Sequence, residues 1–169
     1  MKKDQTGHHF LARLGKTRLR PGGRFATEWL INQTRFAPDT QVLEVACNMG
    51  TTAVGLAQRF GCHITGVDLD ENALEKARQN IRAAGLESLV QVQHANATEL
   101  PFPDNSFDVV INEAMLTMLP LANKEMAVAE YFRVLKPGGV LLTHDVVVSE
   151  HNTEEAVERL RDTIQVKVT

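Results

Sequence analysis

The stretch Val42-Leu43-Glu44-Val45-Ala46-Cys47-Asn48-Met49-Gly50 decides the fold. Its mainly apolar first half predicts a buried strand, and its small, turn-tolerant second half leads directly into a helical pattern. A strand that runs through a tight turn into a helix is where an open α/β sheet receives a nucleotide-like ligand. Gly50 favours left-handed backbone angles, and Asn48 tolerates them better than most residues.

The alternation of strands and helices continues on both sides of this turn. Strands are predicted at 41–46, 63–68, 90–95, 107–112 and 140–148, and helices at about 24–36, 51–60, 70–84, 123–135 and from 152 or 153 onward. Asp70 reads as an N-cap, and Lys136-Pro137-Gly138-Gly139 as a hard stop before the fifth strand. The pattern predicts right-handed crossovers and a doubly wound, mostly parallel α/β sheet with helices on both faces.

The first predicted helix carries the apolar residues Phe25, Trp29, Leu30 and Phe36 at near-helical spacing. We expect this face to lie on the sheet. At the other end of the chain, residues 165–169 begin to alternate like a further strand and then stop.

Length and composition limit the class of protein. The 169 residues suit one domain, and 43% hydrophobic with 23% charged residues is typical of an ordinary globular chain. No apolar run approaches the roughly 18 to 20 residues of a membrane span. Residues 1–9 include basic residues without an apolar core behind them, so no signal peptide is expected. Cys47 and Cys62 lack metal-type spacing and favour a reduced, cytoplasmic protein.

Charge is distributed unevenly along the chain. Residues 1–36 carry eight Lys/Arg and two acidic residues, a net of +6, whereas the remainder carries ten and nineteen, a net of −9. The basic segment could dock on the acidic body or guide an anionic substrate. No aromatic-laced basic surface accompanies it, so nucleic-acid binding is not expected. We predict an N-terminal helical or lid segment at 1–36 and the ligand-binding domain at 37–169.

The turn does not match a dinucleotide site. The three glycine positions of the GxGxxG fingerprint hold Ala46, Asn48 and Thr51, which argues against a pyrophosphate and against a nicotinamide dehydrogenase. The acidic residue of the pattern is present, because Asp68 ends the second strand, where a carboxylate can accept hydrogen bonds from ribose hydroxyls. A ligand with a ribose but no pyrophosphate fits both observations.

Four segments together resemble the class I S-adenosylmethionine-dependent methyltransferases. They are the turn at 42–50, Gly66-Val67-Asp68, the segment 96–108 and Arg133-Val134-Leu135-Lys136-Pro137-Gly138-Gly139, in order and correctly spaced over about residues 40–148. Leu100-Pro101-Phe102-Pro103 is similar to the small-molecule members that methylate quinone precursors. The resemblance implies S-adenosylmethionine as cofactor, a Rossmann-like sheet with strand order 3-2-1-4-5, and methyl transfer to a small-molecule acceptor.

The resemblance also implies roles for single residues. The methionine half of the cofactor would be wrapped by backbone groups of the turn, the ribose held by Asp68, the adenine face packed by Leu69 and its edge met by the next loop, and the methionine amino group placed near the end of the fourth strand. The implied cofactor-binding residues are Glu44, Ala46, Cys47, Asn48, Gly50, Asp68, Leu69, Asn96, Ala97 and Asn112.

Simpler roles stay open for several of these residues. Glu44 could be a structural acid that ties down loop amides, and Cys47 a small loop residue rather than a nucleophile. Asn96 stands where the family usually has Asp, and it could be a turn residue alone. Ala46 and Asn48 stand where the family usually has glycine, which narrows the room for close backbone approach.

Methyl transfer from a sulfonium is an in-line displacement with a good leaving group, so no single catalytic residue is required. If the acceptor must lose a proton, His144 in the fifth strand and Glu113 after the fourth are the candidate catalytic residues. His144 could instead face a covering helix. No metal is expected. The segment with His8 and His9 could form a lid, in which Arg18 or Arg20 pairs with the cofactor carboxylate.

Members of the family usually add a sixth strand and an antiparallel seventh, and this chain ends too early for both. We expect either a fragment or a second protomer, in a homodimer, that supplies what is missing. A second hypothesis is therefore a non-catalytic module or subunit that binds S-adenosylmethionine.

Overall fold

The computed structural model describes residues 22–146. In chain order the elements are α1 (Gly23–Ile31), β1 (Gln41–Val45), α2 (Thr51–Phe60), β2 (His63–Asp68), α3 (Glu71–Ala83), β3 (Val90–His94), β4 (Phe107–Glu113), a short 3-10 turn (Leu116–Met118), α4 (Leu121–Val134) and β5 (Leu135–His144).

The five strands form one sheet in the order β3-β2-β1-β4-β5. Every neighbouring pair is parallel. This confirms the doubly wound α/β fold predicted from the alternating pattern and the strand order implied by the resemblance. Because the strands are parallel, the residues that follow their carboxyl ends meet at one edge of the sheet.

Each face of the sheet is covered by a separate layer of apolar side chains. On one face α1 and α2 pack with Val42, Ile64 and Ile111, and on the other α4 packs with Leu43, Val67 and Val110. Burial on both faces explains why β1 and β4 read as nearly continuous apolar runs. Along β4, Ile111 and Val110 therefore mark which face each following side chain belongs to.

Helix α3 begins and packs as the sequence predicts. The Asp70 carboxylate accepts hydrogen bonds from the backbone N–H groups of Asn72 at 2.9 Å and Ala73 at 3.3 Å. Two orphan amides of the first turn are thereby satisfied, which confirms Asp70 as the N-cap. Leu74, Ala77 and Ile81 form the buried stripe.

The prediction for the first helix is partly wrong. The helix ends at Ile31 rather than near Phe36. Phe25 is 81% exposed and Trp29 60% exposed, while the buried residues of α1 are Thr27, Leu30 and Ile31. Phe25 and Trp29 are four residues apart and share one face, and that face points away from the sheet. The spacing was helical, but the face that packs is the one carrying Thr27.

The predicted start of the fifth strand at Val140 is also wrong, although α4 does end before the predicted stop at 136–139. β5 begins at Leu135, directly after α4, and ends at His144. Leu135 pairs with Phe107, and the next pair is Val140 with Val109, so residues 136–139 bulge out of the ladder. The Lys136 ammonium reaches the Asp108 carboxylate across this bulge at 2.8 Å. The bulge interrupts the pairing without ending the strand.

Several predictions fall outside the described residues. These are residues 147 and 148 of the predicted fifth strand, the last helix, the alternation at 165–169, the shortened C-terminal end, and the lid residues His8, His9, Arg18 and Arg20. For Asp145 and Val146, which are described, the predicted continuation of that strand is wrong, because β5 ends at His144. The division between 1–36 and 37–169 stays a prediction. Between residues 22 and 146, no helix is long and apolar enough to cross a membrane.

Substitution of Gly139 in the bulge and of Gly55 in α2 should change stability in opposite directions. A Cβ on Gly139 would lie 2.9 Å from the Lys136 carbonyl oxygen and 3.0 Å from that of Asp108, whereas a Cβ on Gly55 in α2 meets nothing within 4 Å. We expect Gly139→Ala to lower the free energy of unfolding by about 1–3 kcal/mol through steric overlap. Gly55→Ala should raise it by about 0.5–1 kcal/mol, because alanine favours a helix. Chemical denaturation measures both, and equal effects would contradict the close approach at Gly139.

Candidate functional site

The turn after β1 has left-handed backbone at every second residue. The φ angles are 58° at Ala46, 48° at Asn48 and 69° at Gly50. Only Gly50 among them is a glycine. Ala46 and Asn48 therefore hold backbone angles that residues with a Cβ rarely adopt. The expectation that Asn48 and Gly50 adopt left-handed angles is confirmed. Strained backbone of this kind persists where the surrounding structure enforces it, and it concentrates at functional sites.

Hydrogen bonds from β2 hold the turn in place. The Cys47 N–H donates to the Val67 carbonyl at 3.0 Å, and the Asn48 N–H donates to Asp68 Oδ2 at 2.8 Å. The other oxygen of the same carboxylate accepts from the Asp70 N–H at 2.9 Å. Asp68 therefore joins the turn after β1 to the start of α3. Both contacts are charge-assisted, because the acceptor is a carboxylate.

Cys47 packs tightly inside this turn and has the properties of a structural thiol. Its side chain is buried, and its Sγ lies 2.8 Å from where a Cβ would stand on Gly66. Burial raises the pKa of the Cys47 thiol far above its ordinary value, and the charges of Glu44 and Asp68 raise it further. A thiol that stays protonated is a poor nucleophile, so the geometry favours the small loop residue.

The segment after β3 lies beside Asp68. Asp68 pairs with His94, and the Ala95 N–H donates to the Asp68 carbonyl at 3.2 Å. The Asn96 side-chain oxygen accepts from the Thr98 N–H at 3.0 Å, so Asn96 shapes a turn. Leu69 is 59% exposed at the same edge. Leu69 therefore presents an exposed apolar side chain directly after Asp68.

Asn112 is the buried polar residue of the central strands. It lies on β4 between Val45 and Thr143 and is 0% exposed. Neither its side-chain oxygen nor its nitrogen has a hydrogen-bond partner among the residues that the structure describes. By the alternation of β4, it shares the face of Val110, which α4 covers. A buried amide without a partner is costly, so this position suits a polar ligand or a water molecule.

The structure brings the two candidate catalytic residues together. Glu113 and His144 are register partners on β4 and β5, and both lie on the face of the sheet that α1 covers. Thr27 of α1 donates from its hydroxyl to Glu113 Oε2 at 2.9 Å. Glu44 on β1 faces the same side, because it pairs with Ile111. His144 was also considered as a residue that only faces a covering helix. Its position on the face covered by α1 is compatible with that alternative too.

Sequence reasoning missed Thr27 and Tyr131. Thr27 sits on the packed face of α1, and no sequence pattern marked its contact with Glu113, 86 residues away. Tyr131 on α4 is 0% exposed, and its hydroxyl has no partner within the described part of the chain. Burial raises the pKa of Tyr131, and the charge of Asp145 adds to this effect. A single tyrosine in the chain was the one signal that could have drawn attention to it.

The carboxyl edge thus combines a turn with left-handed backbone, the Asp68 carboxylate that holds it, and further acidic residues at Glu44 and Glu113. Residues 22–146 contain no group of three or more His, Cys, Asp or Glu side chains arranged to hold a metal ion. The fold is that of a Rossmann-like, doubly wound α/β protein, in which ligands bind at the carboxyl edge of the sheet.

Comparison with known proteins identifies the family. The model of the family described as "Methyltransferase domain" matches residues 42–139, which is more than half of the chain. The chain therefore belongs to the class I S-adenosylmethionine-dependent methyltransferases, which confirms the resemblance seen in the sequence.

Two relatives illustrate the range of similarity. An uncharacterized protein of Haemophilus influenzae is 64% identical over 169 residues, covering 100% of this chain and 67% of that protein. A demethylmenaquinone methyltransferase of Listeria welshimeri is 40% identical over 113 residues, covering 66% of this chain and 47% of the enzyme. The chain thus spans about half the length of that named enzyme.

Two solved structures share the fold. The MccD protein superposes with a TM-score of 0.80 at 20% identity, covering 89% of this chain and 65% of that one. The [4+2]-cyclase SpnF superposes with a TM-score of 0.72 at 29% identity, covering 80% and 49%. Because SpnF is a cyclase, the fold alone does not show that a protein transfers methyl groups.

The strained turn predicts a stabilising substitution. Ala46→Gly removes a Cβ from a residue with φ 58°, and we expect the free energy of unfolding to rise by about 0.5–1 kcal/mol after the entropic cost of glycine is subtracted. Ala57→Gly, in the interior of α2, is the matched control and should lower it by about 1 kcal/mol. Thermal or denaturant unfolding distinguishes the two, and destabilisation by Ala46→Gly would refute the strain.

Proposed function

We propose that the chain binds S-adenosylmethionine and transfers its methyl group to a small-molecule acceptor by in-line displacement. The observation that carries this proposal is the turn of alternating left-handed residues tied to Asp68 by the 2.8 Å bond from the Asn48 N–H. The turn lies at the carboxyl end of β1, a central strand of the sheet. The adjoining carboxylate suits a ribose, and the absence of a glycine frame suits a ligand without a pyrophosphate.

The charge of the edge fits the same cofactor. Glu44, Asp68 and Glu113 all lie at the carboxyl ends of β1, β2 and β4. S-adenosylmethionine carries a positive sulfonium and a positive amino group, which acidic side chains stabilise at short range. An anionic pyrophosphate would be repelled by the same residues. Electrostatics therefore supports the choice between the two ligand classes that the turn suggests.

Individual residues have capacity for the roles that the family implies. Each Asp68 oxygen accepts one backbone N–H, and each keeps a further lone pair for a ribose hydroxyl. Leu69 would cover the adenine face, with Asn96 and Ala97 at its edge. The buried Asn112 amide, which has no partner in the described residues, would gain one from the methionine amino end. Glu44, Ala46, Cys47 and Gly50 would complete the cradle around the methionine half.

Bound S-adenosylmethionine supplies the activated methyl group, so the protein need only align the acceptor and exclude water. An acceptor that must lose a proton would face the pair Glu113 and His144. Thr27 holds Glu113 through the 2.9 Å bond, and His144 lies beside it in the register of β4 and β5. We assign this pair the role of candidate base, needed only for a protonated acceptor.

The proposed acceptor class rests on similarity to one named relative. The similarity of the demethylmenaquinone methyltransferase, at 40% identity over 113 residues, supports a small cyclic acceptor of quinone type. A cytoplasmic location stays a prediction, supported by the free cysteines Cys47 and Cys62. Completion of the site by a second protomer, in a homodimer, also stays a prediction.

The alternative function is a non-catalytic module that binds S-adenosylmethionine. The similarity to SpnF, a [4+2]-cyclase that is 29% identical and superposes with a TM-score of 0.72, does not distinguish a module from an enzyme, but it supports keeping an alternative without methyl transfer. Binding without methyl transfer to any acceptor would distinguish this module from the enzyme.

Calorimetric titration with S-adenosylmethionine and S-adenosylhomocysteine tests the cofactor. We expect the wild type to bind both, and Asp68→Ala to weaken binding by about 10- to 100-fold, because a charged hydrogen bond contributes roughly 1.5–3 kcal/mol. Asp39→Ala, an exposed carboxylate just before β1, is the matched control and should bind like the wild type. No binding by the wild type refutes the proposal. Binding without turnover on a panel of quinone-type acceptors favours the module.

Asn112→Leu should make the folded protein more stable and its binding of S-adenosylhomocysteine weaker. It replaces a buried amide that has no partner in the described residues, so we expect the free energy of unfolding to rise by about 1 kcal/mol and the affinity for S-adenosylhomocysteine to fall about tenfold. Asn32→Leu, an exposed amide at the end of α1, should change neither quantity. Lower stability of Asn112→Leu would show that the amide is already satisfied in the free protein.

A further inference from the structure

The guanidinium of Arg133, near the end of α4, makes five hydrogen bonds. It donates to both carboxylate oxygens of Glu130 at 2.6 and 2.7 Å and to Asp104 Oδ1 at 2.9 Å. It also donates to the carbonyl oxygens of Phe102 at 2.7 Å and Leu100 at 3.0 Å. A guanidinium carries five N–H donors, so the capacity of Arg133 is fully used.

Glu130 closes this arrangement from the other side. Its Oε2 accepts the Leu100 N–H at 2.7 Å, so the N–H and the carbonyl of Leu100 are both held by the same ion pair. The hydrogen bonds from Arg133 lower the pKa of Glu130 below its ordinary value, although partial burial acts in the opposite direction. We call Glu130 and Arg133 the latch.

The latch holds one end of the turn that lies beside Asp68. The other end is Asn96, whose side-chain and backbone oxygens accept the Thr98 and Glu99 N–H groups at 3.0 Å each. These bonds consume the Thr98 and Glu99 amides within the turn. No hydrogen bond of the Ala97 N–H is formed within residues 22–146, and Ala97 comes two residues after Ala95, whose N–H donates to the Asp68 carbonyl at 3.2 Å.

We infer that Glu130 and Arg133 are positioning residues that fix the 96–100 turn against the edge of the nucleobase and thereby set the preference for adenine. This inference rests on the proposed function, since it takes the base to lie beside Asp68. The Ala97 N–H matches an acceptor such as adenine N1. Hypoxanthine carries an N–H at the same ring position, so a turn held rigidly would place two donors against each other.

The chemistry of the latch suits a precise placement. A bidentate Arg–carboxylate pair fixes orientation as well as distance, and a lysine cannot reproduce its planar fork. A backbone donor discriminates between bases only if it is held in place, because a turn free to move would adjust to either edge. The latch therefore acts on base selection through the turn, without contacting the ligand.

Calorimetry on the full chain tests this role with two ligands, S-adenosylhomocysteine and its analogue with hypoxanthine in place of adenine. We expect the wild type to prefer adenine by at least about tenfold. In Arg133→Gln and Glu130→Gln the ratio of the two dissociation constants should fall to about twofold or less. Arg59→Gln is the matched control, since it removes the 3.0 Å ion pair with Glu28 on the opposite face of the sheet. It should retain the full preference.

The ratio of dissociation constants separates positioning from general stability. A merely structural role for the latch would weaken both ligands equally and leave the ratio unchanged, which would overturn the inference. Arg133→Lys gives the milder test if the glutamine variants do not fold, and it should lower the ratio to an intermediate value. Failure of the wild type to bind S-adenosylhomocysteine would refute the proposed function instead. Wild-type binding with an unchanged ratio in the variants would refute the latch alone.

Discussion

The carboxylate of Asp68 is the contact on which the candidate site depends. It bonds the Asn48 N–H at 2.8 Å and the Asp70 N–H at 2.9 Å, and so joins the turn after β1, the end of β2 and the start of α3. The turn needs this support because Ala46 and Asn48 hold left-handed angles that cost about 1–2 kcal/mol for an L residue. A charged acceptor for a loop amide offsets a cost of this size.

The same constraint extends into the sheet. With Cys47 folded into the turn, the facing position on β2 has no room for a side chain, and Gly66 occupies it. Burial raises the pKa of the Cys47 thiol, so the thiol is a poor nucleophile. The turn can then contribute the placement and the charge of its groups rather than a reactive side chain. The residues that could act on an acceptor lie one and two strands further along, at Glu113 and His144. The turn proposed to hold the ligand and the candidate base thus lie on different strands along one edge of the sheet.

Much of the fold could be predicted because local and long-range signals agree. Asp70 caps α3 as expected, and the alternation of strands with helices of ten or more residues leaves little choice of topology. Prediction failed where two patterns compete. The aromatic pair Phe25 and Trp29 has helical spacing, yet Thr27 lies on the buried face, because its hydroxyl bonds a carboxylate 86 residues away. The Pro-Gly-Gly sequence at 137–139 suggested an end, but a parallel strand absorbs it as a bulge.

Candidate site residues were predictable only where the chain itself brings them together. Asp68 is the last residue of β2, a strand expected to neighbour β1, so its position at the carboxyl edge could be predicted. The pairing of Glu113 with His144 could not be predicted, because it depends on the register of β4 and β5. The contacts of the latch could not be predicted either, because Arg133 bonds residues about 30 positions earlier in the chain. The resemblance to a family implied which ligand to expect. The buried amide of Asn112, which has no partner in the described residues, could be recognised only from the packing of β4.

The exposed indole of Trp29 has a practical consequence. The chain contains one tryptophan, and its side chain is 60% exposed on the outer face of α1. Intrinsic fluorescence excited at the indole band therefore reports the surroundings of a single helix rather than an average over the molecule. Any molecule or chain segment that settles on α1 would shift that emission towards the blue, and the protein thus carries a built-in optical probe of this surface.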